Sequence, residues 1–314
     1  MLAVLILGFL RKSQIETLVR VAYAEGVKKI YISLDGPRST EEDARQIEII
    51  KMINELRKEI PINIEARRLN ENMGAGAAVI SGIDWFFNQE GSGIILEDDL
   101  APDPSFFLEA TTFLERTDVD DKVLMFSGTN VFDGNDGVIE LLRYPVVWGW
   151  ATSREKWTAT RSLIFSPTAE LSVSRLGVDY FYWFVGKRRA LKGQNQVWDV
   201  PLAGAMFSRD YYCAISPSNL ITNIGNDNFA SNTKGNGWPL HLTTSAPRVG
   251  SGQPKIALGP SKSREGFMRK NIFKIGPKYI LSSFFWYFFD FIRWRTHEVR
   301  YLEKTISTIQ WKNV

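Results

Sequence analysis

Ile94-Ile95-Leu96-Glu97-Asp98-Asp99 is the stretch on which the fold turns. Three apolar residues after Gly91-Ser92-Gly93 make a short run without alternation, the pattern of a strand covered on both faces in a parallel sheet. Three carboxylates follow without a break. At the carboxyl end of such a strand they point into the crevice where open α/β sheets bind ligands. Packing alone gives no reason to gather negative charge there, because like charges repel and lose hydration. A hard divalent cation, Mn²⁺ or Mg²⁺, would resolve the conflict, since it takes oxygen ligands and shares them with substrate phosphates. A solvated acidic turn is the plain alternative for any acidic triplet taken alone.

On the amino-terminal side, strand and helix patterns alternate. A strand over residues 2–7 leads to a helix opened by the capping box Ser13-x-x-Glu16. A strand over 29–34 ends in the turn Asp35-Gly36-Pro37-Arg38, and Ser39-x-x-Glu42 opens a helix running to about Lys58. Pro61 precedes a strand over 62–66, and Asn72-Met73-Gly74-Ala75-Gly76 feeds a helix over 77–88. Repetition of this kind predicts a mostly parallel α/β sheet with right-handed crossovers.

Beyond the acidic triplet the expected elements are a helix over 102–116, a strand over 122–127, a helix from Ser153, helices over 180–191 and 198–207, and a strand over 212–215 around Cys213. Gly, Asn, Ser and Pro dominate 219–260, which predicts ordered loops or a lid. We expect a catalytic domain over 1–260 and a basic, aromatic extension over 261–314.

Composition limits the function classes. A chain of 314 residues with 44% hydrophobic content holds a sizeable core, and a net charge of +3 gives no overall bias toward nucleic acid. One cysteine excludes an internal disulfide framework and fits a reducing, cytoplasmic compartment. The two histidines, His241 and His297, have no partners at zinc-like spacing. The apolar start, Met1 to Leu10, carries its charges Arg11 and Lys12 after the run, which reads as a buried first strand, not a signal peptide.

In order, the motifs are Arg11 after the first strand, Ser33-Leu34-Asp35-Gly36-Pro37-Arg38 after the second, Asn72-x-Gly74, Glu97-Asp98-Asp99, Trp148-Gly149-Trp150 and Trp198-Asp199. Together they resemble the GT-A glycosyltransferases, in particular bacterial sugar transferases similar to the N-acetylglucosaminyltransferase I type, over about residues 1–245. The segment IILEDDLAPDPSFF at 94–107 is the most specific part. The resemblance implies a GT-A, Rossmann-like sheet and transfer of a sugar, with inversion, from a nucleotide-sugar that is UDP-linked to a glycan acceptor. It implies that Asp99 is the protein's main ligand to Mn²⁺ or Mg²⁺ on the donor diphosphate. Asp98 would contact the ribose or the metal shell, and Glu97 the transferred sugar. Asp35 would accept a hydrogen bond from uracil, and Arg11 would lie near the nucleotide. Asn72 and Gly74 would form a tight turn close to the donor. Asp199 matches the catalytic carboxylate, Trp198 would lie beside the donor sugar, and Trp150 would wall its pocket. Relatives carry a His in a segment like Asn223-Ile224-Gly225…Ala230-Ser231-Asn232-Thr233; Asn232 stands there instead, so Asn232 or His241 would take over that task.

The chemistry is consistent with these assignments. Breaking a sugar–diphosphate bond leaves charge on the phosphate, which a preorganised cation offsets, and the acceptor hydroxyl needs a positioned base. Two other classes compete. A sugar nucleotidyltransferase would want a Gly-rich, basic loop after the first strand, of which Gly8-Phe9-Leu10-Arg11-Lys12 offers little. A non-catalytic carbohydrate-binding protein would have no need of four such carboxylates.

Residues 262–304 hold ten Lys or Arg against four Asp or Glu, around an aromatic run from Tyr279 to Trp294. No stretch is long enough to span a bilayer. Aromatic residues beside cations suit an anionic membrane interface, so residues 262–314 are expected to hold the enzyme on the inner face of the cell membrane. There the resemblance implies synthesis of a surface polysaccharide on a polyprenyl-linked acceptor. A core helix or a homo-oligomer contact is the alternative use of this segment.

Overall fold

Alternate residues of the central strands enter two different cores. Ala3, Leu5, Leu7, Tyr31 and Ile95 belong to one apolar cluster, and Val4, Ile6, Ile30, Ile32, Ile94 and Leu96 to the other. Both faces of the sheet are therefore covered, as a parallel sheet requires. The computed structural model describes residues 2–132, 137–166, 171, 176–193, 197–225, 244, 254–293 and 306–314.

The strands are β1 (Ala3–Gly8), β2 (Lys29–Leu34), β3 (Asn63–Leu69), β4 (Ser92–Glu97), β5 (Leu100–Pro102), β6 (Val123–Ser127), β7 (Val138–Leu142), β8 (Trp150–Ser153), β9 (Tyr212–Ile215), β10 (Ile221–Asn223), β11 (Lys255–Pro260) and β12 (Trp311–Asn313). The helices are α1 (Lys12–Ala24), α2 (Thr40–Glu59), α3 (Gly74–Gln89), α4 (Ser105–Leu114), α5 (Arg154–Phe165), α6 (Tyr180–Leu191), α7 (Asp199–Arg209), α8 (Lys262–Phe267) and α9 (Pro277–Arg293). Ten strands form one sheet in the order β11-β7-β9-β6-β8-β4-β1-β2-β3-β12. The pairs β3–β2, β2–β1, β1–β4 and β6–β9 are parallel, whereas β8 runs antiparallel between β4 and β6. Residues of α1, α2 and α4 fill one core and those of α3, α5, α6 and α7 the other. The architecture is α/β, a mostly parallel sheet with flanking helices, the Rossmann-like arrangement expected of a GT-A fold.

Several expectations shift. α1 begins at Lys12 with Arg11 at its N-cap and no side-chain cap, so the Ser13-x-x-Glu16 capping box is not used. The Ser39 box is: its hydroxyl accepts from the Glu42 N–H at 3.2 Å. The helix expected over 102–116 is shorter, because Leu100–Pro102 pairs antiparallel with Ile221–Asn223 and α4 starts only at Ser105. Strands β10, β11 and β12 lie where loops or extension were expected, as edge or short strands, and β7 falls where no element was predicted. The C-terminal residues return to the sheet. Trp311–Asn313 pairs with β3, and Glu265 forms an ion pair with Arg143 at 2.6 Å.

Candidate active site

Register brings the sequence-derived residues to one edge. Leu7 of β1 lies opposite Glu97 of β4, and Gly8 opposite Leu34 of β2. Arg11, Asp35 and the triplet 97–99 thus follow the carboxyl ends of three adjacent strands. Chain order runs outward from β1 through β2 to β3 on one side, with β4 on the other. The β1/β4 junction is therefore the switch point at which open α/β sheets bind ligands.

Asp98 is buried and turned back into the protein. Its Oδ2 accepts from the Phe9 N–H at 2.7 Å, and its Oδ1 from Arg11 at 2.9 Å. Burial raises its pKa, against the pull of Arg11. Arg11 is therefore the counter-ion of Asp98, and together they clasp the loop after β1 to the end of β4. No local pattern could reveal this pairing across 87 positions.

Glu97, Asp99 and Asp199 remain partly exposed. Burial, then repulsion from Asp99, Asp98 and Asp199, holds Glu97 well above the usual carboxylate range. That repulsion places Asp199, from the far half of the chain, in the same electrostatic neighbourhood as the triplet. Asp199 opens α7, and its Oδ1 accepts from the Val200 N–H at 3.0 Å. Burial raises its pKa, while its own and the Val200 backbone N–H groups favour the charged form. Trp198 supports it: its ring stacks on Trp150 at 5.9 Å, and both are buried, with Trp150 at 2% exposure. The pair ties β8 to the start of α7, beneath Asp199. In this arrangement both rings are buried against each other, at 2% and 5% exposure.

Asp35 has a different environment. One oxygen accepts from the N–H groups of Gly36 and Met73, at 2.8 and 2.9 Å. The other accepts from the Asn72 amide and the Gly74 N–H, at 3.0 and 3.1 Å. Those four donors fill the roughly four lone-pair sites of a carboxylate. Gly74 enters α3 with φ +75, a conformation that favours glycine. Burial pushes Asp35 up to about 6, opposed by the three backbone donors. The Asp35, Asn72 and Gly74 group expected at the donor is thus an interlocked loop closure; a uracil N–H would have to displace one of these donors.

Two further contacts surround the acid cluster. Gly225 lies against Asp99 so closely that a Cβ there would meet Oδ2 at 2.5 Å, and the Ile224 N–H donates to the Asp99 carbonyl at 2.8 Å. The strand pair β5/β10 thereby presses the segment after β10 onto the acid cluster. Tyr182 of α6 lies within electrostatic reach of Asp199. Asn223-Ile224-Gly225 stands out in the sequence as a motif, but its contact with Asp99, like the position of Tyr182, depends on pairings between distant segments. Asn232, His241 and His297 lie outside the described residues.

A divalent cation fits this donor set. Glu97 and Asp99 are both part-exposed at the carboxyl end of β4, and their charges repel. Among the described residues, no three Asp, Glu, His or Cys side chains converge closely enough to hold an ion by themselves. One or two carboxylates completed by phosphate and water is the usual arrangement for Mg²⁺.

No family model matches the chain, and no curated protein does. Among solved structures, HddC from Yersinia pseudotuberculosis, complexed with GMP-PN, is 14% identical over 49% of this chain and 78% of its own, with a TM-score of 0.32. A glycosyltransferase involved in glycosylation of the major capsid of PBCV-1 is 13% identical over 52% of this chain and 67% of its own, with a TM-score of 0.27. Likenesses this faint identify neither family nor activity; the α/β architecture stands on the strand order and register above.

Proposed function

We propose that the protein is a metal-dependent, inverting glycosyltransferase that moves a sugar from a UDP-linked donor to a glycan acceptor. The observation that carries this reading is the meeting of Asp199 with the 97–99 triplet at the β1/β4 switch point. The reaction needs two kinds of carboxylate: one that gathers a cation and one that takes a proton. Asp99, with Glu97 beside it, would hold Mn²⁺ or Mg²⁺. When bound, that ion supplies charge neutralisation for the departing diphosphate.

The chain's own residues do the rest. Arg11 neutralises Asp98 and fixes the loop against which the nucleotide lies. Asp199, held at the start of α7 by the Trp150–Trp198 stack, accepts the proton of the acceptor hydroxyl. Attack from the face opposite the leaving group inverts the anomeric centre. The segment after β10, pressed onto Asp99, restricts water beside a donor prone to hydrolysis. We further propose that the glycan belongs to a bacterial surface polysaccharide built on a polyprenyl-linked acceptor at the inner face of the cell membrane.

Calorimetry with UDP tests the reading. Binding is expected in Mn²⁺ and at least about tenfold weaker in chelator, and Asp99→Ala is expected to remove the difference, in line with typical effects of lost metal coordination. Equal affinity with and without metal would refute metal dependence. Tight binding of nucleoside triphosphates instead would favour a nucleotidyltransferase.

A further inference from the structure

Helix α9 turns most of its apolar surface to solvent. Its residues Tyr279, Leu281, Phe285, Trp286, Phe288 and Phe289 are all more than half exposed, up to 66% at Phe289. Among the described residues, a narrow stripe of the helix is used for packing. Tyr287 meets Phe181 and Phe184 of α6 at 5.3 and 5.0 Å, and Phe284 meets Phe181 at 5.0 Å. Isolated exposed apolar residues are ordinary, but a contiguous aromatic face marks an interaction site.

Charge identifies the occupant. Between residues 262 and 289 the exposed charged side chains are Lys262, Lys270, Lys274 and Lys278, while Glu265 is buried against Arg143; the last turn of α9 adds one residue of each sign, Asp290 and Arg293. A second copy packed face to face would bring lysines of like sign together. An anionic lipid surface would instead attract them, at roughly 1 kcal/mol for each Lys near the surface. Aromatic rings favour the depth of the headgroups. The helix has 17 residues, or about 25 Å at 1.5 Å per residue, shorter than a hydrocarbon core of about 30 Å. No helix among the described residues is long and apolar enough to cross a membrane.

We propose that α9 lies in the plane of an anionic lipid bilayer, its aromatic face at the boundary between headgroups and acyl chains and Lys270, Lys274 and Lys278 on the phosphates. The helix is fixed to α6, where Tyr182 donates to the Phe273 carbonyl at 3.2 Å and lies within electrostatic reach of both Tyr279 and Asp199. Docking would therefore hold α6, and with it the packed helix α7 that Asp199 opens, close to the lipid. That placement, which rests on the transferase reading, suits an acceptor carried by the membrane.

Flotation of the full chain with phosphatidylglycerol-containing vesicles, against pure phosphatidylcholine, tests the docking. The parent is expected to float with the former and to be recovered at least about tenfold less with the latter. The triple variant Phe285→Ser, Trp286→Ser, Phe289→Ser is expected to stay at the bottom. Lys270→Gln, Lys274→Gln, Lys278→Gln is expected to lose the preference for anionic lipid. Thermal melting checks that the variants fold. Brominated lipid should quench part of the fluorescence of the chain's ten tryptophans, and Trp286→Phe should reduce that quenching.

Equal flotation of parent and aromatic variant overturns the proposal, as does absence of quenching. A parent that fails to float, yet sediments as a dimer that the aromatic variant dissociates, also overturns it and gives the face to a second copy. Binding of UDP without flotation defeats the docking alone, and flotation without UDP binding defeats the transferase reading alone.

Discussion

Asp35, after β2, and Glu97, at the end of β4, stand on either side of β1, and their surroundings differ in kind. Asp35 receives four protein donors, three of them backbone N–H groups. Glu97 faces the carboxylates of Asp98, Asp99 and Asp199, and Arg11, bonded to Asp98, offsets that repulsion only in part. One side of the crevice is complete as folded. The other carries an excess of negative charge that a bound cation would offset. On the proposed reading, this difference assigns the chemistry to the β4 side and a scaffolding task to the β2 side.

The sharpest way to break this contrast is Asp199→Asn. Turnover should fall on the order of 10³-fold, the usual scale for loss of a general base, while metal-dependent UDP affinity stays near that of the parent. Substantial remaining turnover, measured as sugar transfer, would remove Asp199 as the base. Arg11→Ala comes next. Leaving Asp98 buried without its cation should cost about 3 kcal/mol, read as a lowered urea midpoint, and an unchanged midpoint would show that the pair is not structural.

Asp35→Asn separates scaffold from ligand contact. An amide cannot accept from all four donors, so about 2 kcal/mol of stability should be lost, with UDP affinity changed little below the melting temperature. A large loss of UDP affinity at unchanged stability would restore the uracil role. The smallest effect concerns Lys187 of α6, which is buried at 2% exposure and donates to the Leu163 carbonyl at 2.8 Å. Burial lowers its pKa to about 7 from 10.5. The folded state then binds fewer protons than the unfolded state between those values, so stability should rise with pH from about 7 to about 10.5. Lys187→Met should flatten that rise and gain about 1 kcal/mol near pH 7, reduced because the Leu163 carbonyl loses a donor. A slope identical to the parent's would place the titration elsewhere.

The central strands were legible because hydrophobic runs such as Leu2–Leu7 and Ile94–Leu96 leave few alternatives, and the switch point follows from their order. Tyr180–Leu191 and Tyr212–Ile215 also fall where the patterns place them. Legibility failed where structure depends on a distant partner. Arg11 appears in the sequence as a cation after a strand, and only the fold shows that Asp98 holds it. Trp150 and Trp198 read as a sugar wall, but their stacking across β8 and α7 is tertiary. Likewise β5 and β10 are three residues each and exist by pairing with one another.

The strand Trp311–Asn313 covers the outer edge of β3, and Trp311 lies over the Arg67 guanidinium at 5.6 Å. During synthesis, the chain segment that seals this side emerges well after the seven-residue strand it protects. Until then a row of backbone groups is open to pairing with a neighbouring nascent chain. Clipping the last few residues should therefore harm yield and solubility more than it harms turnover of the molecules that do mature.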